Sequence, residues 1–295
     1  MKKLTCLGLS IVMALSLLTA CGGGETSTAG SETGSTTTSA AQSAENTGAT
    51  QEITGTVNTD GSTSMADVMA VLKETFAEVQ PGVNVNYTGS GSGAGITNVL
   101  NGSVDIGLSS RALKAEEEEQ GAVAHVVALD GVAIVVNPEN TVANLTVEQI
   151  AKIFSGEITN WSEVGGNDAQ VVFMGREAGS GTRGAFEELV GVEDACVYTN
   201  EYGSTGDVIG SVASNPNAIG YASLSAVDET VSPVKVGGVE CSEATVKDGS
   251  YEIQRHFIMV TNSANELSAQ AQAFLDYAQS AEVAEYIASA GAVAP

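Results

Sequence analysis

Short apolar runs that read as strands alternate with stretches of helical periodicity along most of the chain, and this alternation narrows the possible folds more than any other feature. Val83-Asn84-Val85-Asn86-Tyr87, Val104 to Leu108, Val132 to Val136, Val171 to Met174, Ala218 to Tyr221 and Phe257 to Val260 read as strands bounded by Gly, Asn or Pro. Between them, Met65, Val68, Met69, Leu72, Phe76 and Val79 recur at three- and four-residue spacing and predict one amphipathic helix. Thr146 with Gln149 forms a capping-box pattern ahead of Ile150, Ile153 and Phe154, and a long last helix is predicted from about Ser268 to Ala288. There is no internal repeat. Strand and helix in turn imply an α/β architecture with mostly parallel sheets.

Four polar segments fall where a strand pattern ends or a helix pattern begins: Gly61-Ser62-Thr63-Ser64, Gly89-Ser90-Gly91-Ser92-Gly93, Ser109-Ser110-Arg111, and Arg176-Glu177-Ala178-Gly179-Ser180-Gly181-Thr182. Glycine lets backbone approach a ligand, Ser and Thr supply hydroxyl donors, and a helix start presents unpaired N–H groups with partial positive charge. Together they describe an anion site. One such turn alone is more often an N-cap than a ligand contact. Several in a chain with only 11 Lys and Arg, two of those arginines beside the turns, weigh more. An arginine fork matches two oxygens of a tetrahedral oxyanion.

Enzyme templates fit poorly. Gly175 to Thr182 lacks the lysine a P-loop needs after its last glycine, and no GxSxG elbow is present. Only two histidines exist, and His125, in an apolar run, reads as core or lobe edge. Glu116 to Glu119 reads as a solvated helix face, so neither metal nor cofactor is called for. The formal net charge of -25 argues against nucleic acid or an anionic membrane face as partner. A small anion held in a closed cleft is another matter, because surface carboxylates are screened within about 8 Å.

The first residues carry a different message. Lys2 and Lys3, the apolar stretch Leu4 to Leu18, and Leu18-Thr19-Ala20-Cys21 read as a lipoprotein signal peptide (1–20), with Cys21 the acylated residue after cleavage. Residues 21–50, rich in Gly, Ser, Thr and Ala, read as a flexible tether with a mean span of about 30 Å. The expected location is therefore the extracytoplasmic face of the cell membrane, through a lipid anchor only. Cys196 and Cys241 then remain either as one disulfide or as two free thiols.

Several segments resemble the periplasmic phosphate-binding protein family, the PstS-like receptors of ABC phosphate importers. They are Ile153-Phe154-Ser155-Gly156-Glu157-Ile158-Thr159-Asn160-Trp161 with Gly165-Gly166, the Arg176 to Thr182 loop, Asn215-Pro216-Asn217-Ala218-Ile219-Gly220-Tyr221, Asp248-Gly249-Ser250-Tyr251 to Arg255, and the ending Gly291 to Pro295. The resemblance implies a two-lobed periplasmic-binding-protein fold of type II, with two hinge strands and the ligand in the interlobe cleft. Residues 51–130 plus 256–295 would form one lobe and 131–255 the other. It implies a monomeric carrier, not an enzyme, with inorganic phosphate as ligand and the permease and ATPase subunits of an importer as partners.

Carried residue by residue, the resemblance places phosphate at Ser62, Thr63 and Ser64, at Ser92 and Gly93, and at Arg176, Ser180, Gly181 and Thr182. The remaining loop departs, with Ser110 followed by Arg111 where the family has an aspartate that accepts the ligand's proton. Ser110 itself, or Asp60, Glu177 or Asp207, is then the candidate acceptor. Arg111 either touches ligand or pairs with an acid across the cleft. Trp161 and Asn160 read as structural. Another oxyanion as ligand, a sensor or adhesin, and a phosphate-ester hydrolase are the competing readings.

Overall fold

The computed structural model describes residues 52–295; the signal peptide, the tether and Cys21 lie outside the described residues. The strands are β1 Gly55–Gly61, β2 Val83–Gly89, β3 Ile106–Ser109, β4 Ala122–Val136, β5 Asn144–Leu145, β6 Val172–Arg176, β7 Asn200–Tyr202, β8 Ala218–Ser223, β9 Ser232–Val236 and β10 Gln254–Asn262. The helices are α1 Ala66–Val79, α2 Ser92–Leu100, α3 Ala115–Glu119, α4 Val147–Phe154, α5 Gly181–Val190, α6 Thr205–Ala213, α7 Glu243–Lys247, α8 Ala269–Ala278 and α9 Ala284–Ser289. Strand order is β2-β1-β3-β10-β4-β8-β6-β7, with β9 beside β4 and β5 beside β9.

The pairing is mixed rather than mostly parallel. β1 runs parallel to β2 and β3, and β6 runs parallel to β7 and β8. Both long strands at the centre, β4 and β10, run antiparallel to each other, to β3 and to β8. The parallel pairs are the strand-helix-strand units that the sequence pattern announces, and the antiparallel ones arise where the chain crosses between two cores.

One core gathers Val57, Met65, Met69, Leu72, Phe76, Ile106, Leu108, Phe257, Met259, Phe274 and Ile287. The other gathers Val132 to Val136, Ile150, Phe154, Trp161, Phe186, Val208, Ile219 and Tyr221. These are the two lobes, and β4 feeds both. Ala122 to Gly131 pairs with β10, and Val132 to Val136 pairs with β8. The sequence pattern predicts only the second half as a strand, and only there is the strand buried without interruption on both faces.

Helix α1 packs Val68, Met69, Leu72 and Phe76 inward, and Phe76 meets Phe274 and Tyr277 with ring centroids 5.2 Å apart. Val79, at its last turn, is exposed. The predicted capping box at Thr146 is present, with Gln149 N–H donating to Thr146 Oγ1 and Thr146 N–H to Gln149 Oε1. The long last helix is instead two. α8 stops at Ala278, Gln279 and Ser280 turn the chain, and α9 follows a short 3-10 turn over Ala281–Val283. The break lets Val283 and Ile287 reach the same core as Phe274 and Leu275, which one straight helix would not do. Among the described residues no helix is long and apolar enough to cross a membrane.

Candidate functional site

Four helix starts converge where the lobes meet. They are the 3-10 turn Thr63–Met65 that leads into α1, and the first residues of α2, α5 and α6. Ser180 and Ser204 are N-caps whose hydroxyls accept from Arg183 N–H and Asp207 N–H. The first N–H groups of each helix have no partner in their own helix, so the convergence adds donors and partial positive charge at one place.

The hydroxyls at these starts bond one another across the lobes. Ser64 Oγ shares hydrogen bonds with Thr182 Oγ1 at 2.6 Å and Thr205 Oγ1 at 2.9 Å, and Thr63 Oγ1 lies 3.2 Å from Thr205 Oγ1. Ser62 Oγ donates to Ser110 Oγ at 2.9 Å, and Ser92 Oγ accepts from Ser110 N–H at 3.1 Å. Gly93 N–H donates to Gly179 O across the cleft at 3.0 Å. Gly181 has to be glycine here, because a Cβ would collide with Ser92 Oγ and Ser110 Oγ.

Arg176 lies beneath this cluster and is 1 % exposed. Its Nε donates to Tyr202 O, its Nη2 to Gly203 O and its Nη1 to Thr205 Oγ1, at 3.0, 2.8 and 3.1 Å. All three acceptors are neutral. Among the described residues no carboxylate forms an ion pair with it. Burial pulls its pKa below the ordinary arginine range. A buried cation without a counter-charge is costly, and an anion delivered to the cluster removes that cost.

The structure thus brings Ser62, Thr63, Ser64, Ser92, Gly93, Ser110, Arg176, Gly181 and Thr182 together. Ser180 contributes the helix cap. Arg111 does not join them. Its Nη1 and Nη2 form a two-point pair with Glu117 at 2.8 and 2.7 Å, and Nη1 also donates to Ala112 O. Against the burial that would raise it, the Arg111 hydrogen bond and Lys114 N–H hold the Glu117 carboxyl below its usual range. Of the candidate acceptors, Asp60 is buried and takes Ser90 Oγ at 2.5 Å and Asn98 Nδ2 at 2.6 Å, while Asp207 takes Ser204 Oγ.

Two members were missed in the sequence. Thr205 sits at the centre of the hydroxyl cluster, and Gly203-Ser204-Thr205-Gly206 has the same Gly/hydroxyl composition as the other loops. Tyr87 Oη donates to Ser62 O at 2.8 Å and so props the first loop. Burial, then Asp67 and Asp60, push that phenol up to about 12, so it stays a donor. Trp161 Nε1 donates to Asn217 O and Asn160 caps a turn, both remote from the cluster. Cys196 and Cys241 are both free thiols. His125 is half-buried with Nε2 2.8 Å from Thr261 Oγ1.

Residues 27–282 match the model of the PBP superfamily domain. The chain is 33% identical over 244 residues to the phosphate-binding protein PstS of Bacillus subtilis (strain 168), covering 80% of this chain and 79% of that protein. An X-ray crystal structure of a putative phosphate ABC transporter substrate-binding protein with bound phosphate, from Clostridium perfringens, is 40% identical. It covers 82% of this chain and 100% of its own, with a TM-score of 0.79. An ABC-type phosphate transport receptor from Vibrio cholerae is 34% identical, covers 81% and 100%, and has a TM-score of 0.68. With a superfamily match across most of its length, and relatives of this similarity over about four fifths of their length or more, the chain belongs to the PBP superfamily and, within it, to the family of the phosphate-binding proteins PstS.

Proposed function

We propose that this protein binds inorganic phosphate in the cleft between its lobes, through Ser62, Thr63, Ser64, Ser92, Gly93, Ser110, Arg176, Ser180, Gly181, Thr182 and Thr205, and delivers it to an ABC importer. The observation that carries the reading is Arg176, a buried guanidinium joined through Thr205 to the hydroxyl cluster at the converging helix starts, with no ion-pair partner among the described residues. The names of the relatives support the choice of phosphate.

Charge-assisted hydrogen bonds contribute about 1.5–3 kcal/mol each, so a handful exceeds the roughly -8 kcal/mol of a micromolar complex. Dehydration of the anion and ordering of the lobes offset the surplus. In this reading the protein is a carrier that does no chemistry on its ligand. It is a monomer, anchored by lipid at Cys21, and its partners are the permease and ATPase subunits of the importer.

Calorimetric titration of the purified protein, dialysed free of phosphate, tests this directly. One-site phosphate binding in the micromolar range or tighter is expected. Absence of any heat or competition with phosphate rejects the reading, and turnover of a simple phosphate ester rejects the carrier role.

A further inference from the structure

Behind the hydroxyl cluster, the main chain of Arg176 is held in a closed ring of side chains. Arg176 N–H donates to Tyr221 Oη at 3.2 Å, Tyr221 Oη donates to Tyr198 Oη at 3.0 Å, and Tyr198 Oη donates to Glu187 Oε1 at 2.9 Å. Arg183 closes the circuit, its Nε donating to the same Glu187 oxygen at 2.8 Å and its Nη1 to Arg176 O at 3.0 Å. Both main-chain polar groups of Arg176 are thus bound by side chains, 45 and 7 positions away in sequence. Packing holds the ring as well. Tyr221 stacks on Phe186 with centroids 4.1 Å apart, the Arg183 guanidinium lies 4.8 Å from the Tyr198 centroid, and a Cβ on Gly175 would collide with the Tyr198 ring.

One group sets the direction of these bonds. A carboxylate accepts hydrogen bonds and does not donate them, whereas a phenol does both. Glu187, 7 % exposed, therefore draws the Tyr198 proton. The Tyr198 oxygen is left to accept from Tyr221, and the Tyr221 oxygen to accept from Arg176 N–H. Burial raises both phenols above the ordinary tyrosine range, so both keep their protons near neutral pH. Arg183 and Glu187 lie on α5, whose first residues, Gly181 and Thr182, belong to the cluster. The ring therefore ties the arginine at the end of β6 to the helix start beside it.

Building on the phosphate reading above, we propose that Glu187 and Tyr221, which lie outside the hydroxyl cluster, are positioning residues for phosphate: they act through Arg176, whose guanidinium they hold in register with the start of α5. Titration of phosphate into the purified wild type, Tyr221→Phe and Glu187→Gln, and into each substitution combined with Arg176→Met, is the test. Calorimetry reads the tighter variants and amide NMR shifts the weaker ones. Each single substitution is expected to weaken phosphate about tenfold, the equivalent of one hydrogen bond. Combined with Arg176→Met, neither is expected to add more than about a twofold loss, because no guanidinium is left to place. Glu187→Gln, three hydrogen bonds away, is also expected to strip the Arg176 amide proton of exchange protection while leaving the amides of α1 unchanged.

Variants that bind phosphate as tightly as the wild type overturn the inference and leave the phosphate reading standing. Equal losses with and without Arg176, or protection lost in α1 as much as at Arg176, make the ring a support of the fold alone and also overturn it. A wild type that takes no phosphate overturns both readings.

Discussion

Two arginines are buried in this protein, and they are buried differently. Arg255, on β10, faces Asp130, its register partner on β4, where the chain crosses between the lobes. Arg255 Nε donates to Asp130 Oδ2 at 2.9 Å, and Nη2 lies 2.8 Å from the same oxygen. Asp130 Oδ1 also accepts from Ser223 Oγ and Leu224 N–H. Burial pushes the Asp130 carboxyl up while Arg255 and Ser223 oppose it, and burial pulls Arg255 down. Arg176 is as deeply placed, yet its partners are two carbonyls and a hydroxyl. The same side chain thus does two jobs. At the hinge its charge is closed off within the fold, and in the cleft it is left for something the chain does not contain.

Replacing Arg176 itself and the partner of Arg255 separates these jobs, and the largest effect should be on binding. Arg176→Met should weaken phosphate about 100- to 10,000-fold, from the loss of about two charge-assisted bonds, while the ligand-free melting temperature holds or rises. A fall in melting temperature with affinity intact would make Arg176 a second structural arginine and erase the contrast. Asp130→Asn leaves Arg255 buried and uncompensated. It should cost about 3–5 kcal/mol of stability, or roughly 6–20 °C in melting temperature, with phosphate affinity of the folded protein little changed. Calorimetry showing lost binding at unchanged stability would instead join the hinge to the ligand site.

A third comparison uses ligand as the probe. Phosphate at 100 times its dissociation constant should stabilise the wild type by about 2.7 kcal/mol in thermal melts, Asp130→Asn by the same amount and Arg176→Met by almost nothing. Smallest of all should be Glu117→Gln, which unclamps Arg111: about 1 kcal/mol or less in stability, and phosphate affinity within about threefold. Because the Glu117 pKa is lowered on folding, its contribution is present above the ordinary carboxylate range and is lost as pH falls through the folded value. Urea denaturation between pH 6 and 3 should therefore show a shallower loss in Glu117→Gln than in the wild type. Equal slopes would mean that the Arg111 pair does not anchor its loop.

Much of this layout was legible in the residues, and the exceptions have physical causes. The apolar repeat of α1, the capping box at Thr146 and the hydroxyl-rich turns are local patterns, and local patterns survive into the fold. β1 was not read, because Val57 is its only large apolar residue; it is held by partners on both edges that no short window contains. The pairing of Asp130 with Arg255 joins residues 125 positions apart, and only the crossing strands bring them together. Thr205 carries a usable signal, since its Gly-Ser-Thr-Gly setting matches the other hydroxyl-rich loops. For Arg111 the sequence leaves ligand contact and an acid pair both open, and a glutamate six residues on takes it.

The hydroxyl bonds Ser64–Thr182 and Thr63–Thr205 each take one partner from either lobe, so neither half of the molecule carries the full set alone. An ion seated in place of these bonds would touch both halves at once. A partner that engages both halves at once therefore reads how they are joined, not how many copies are present.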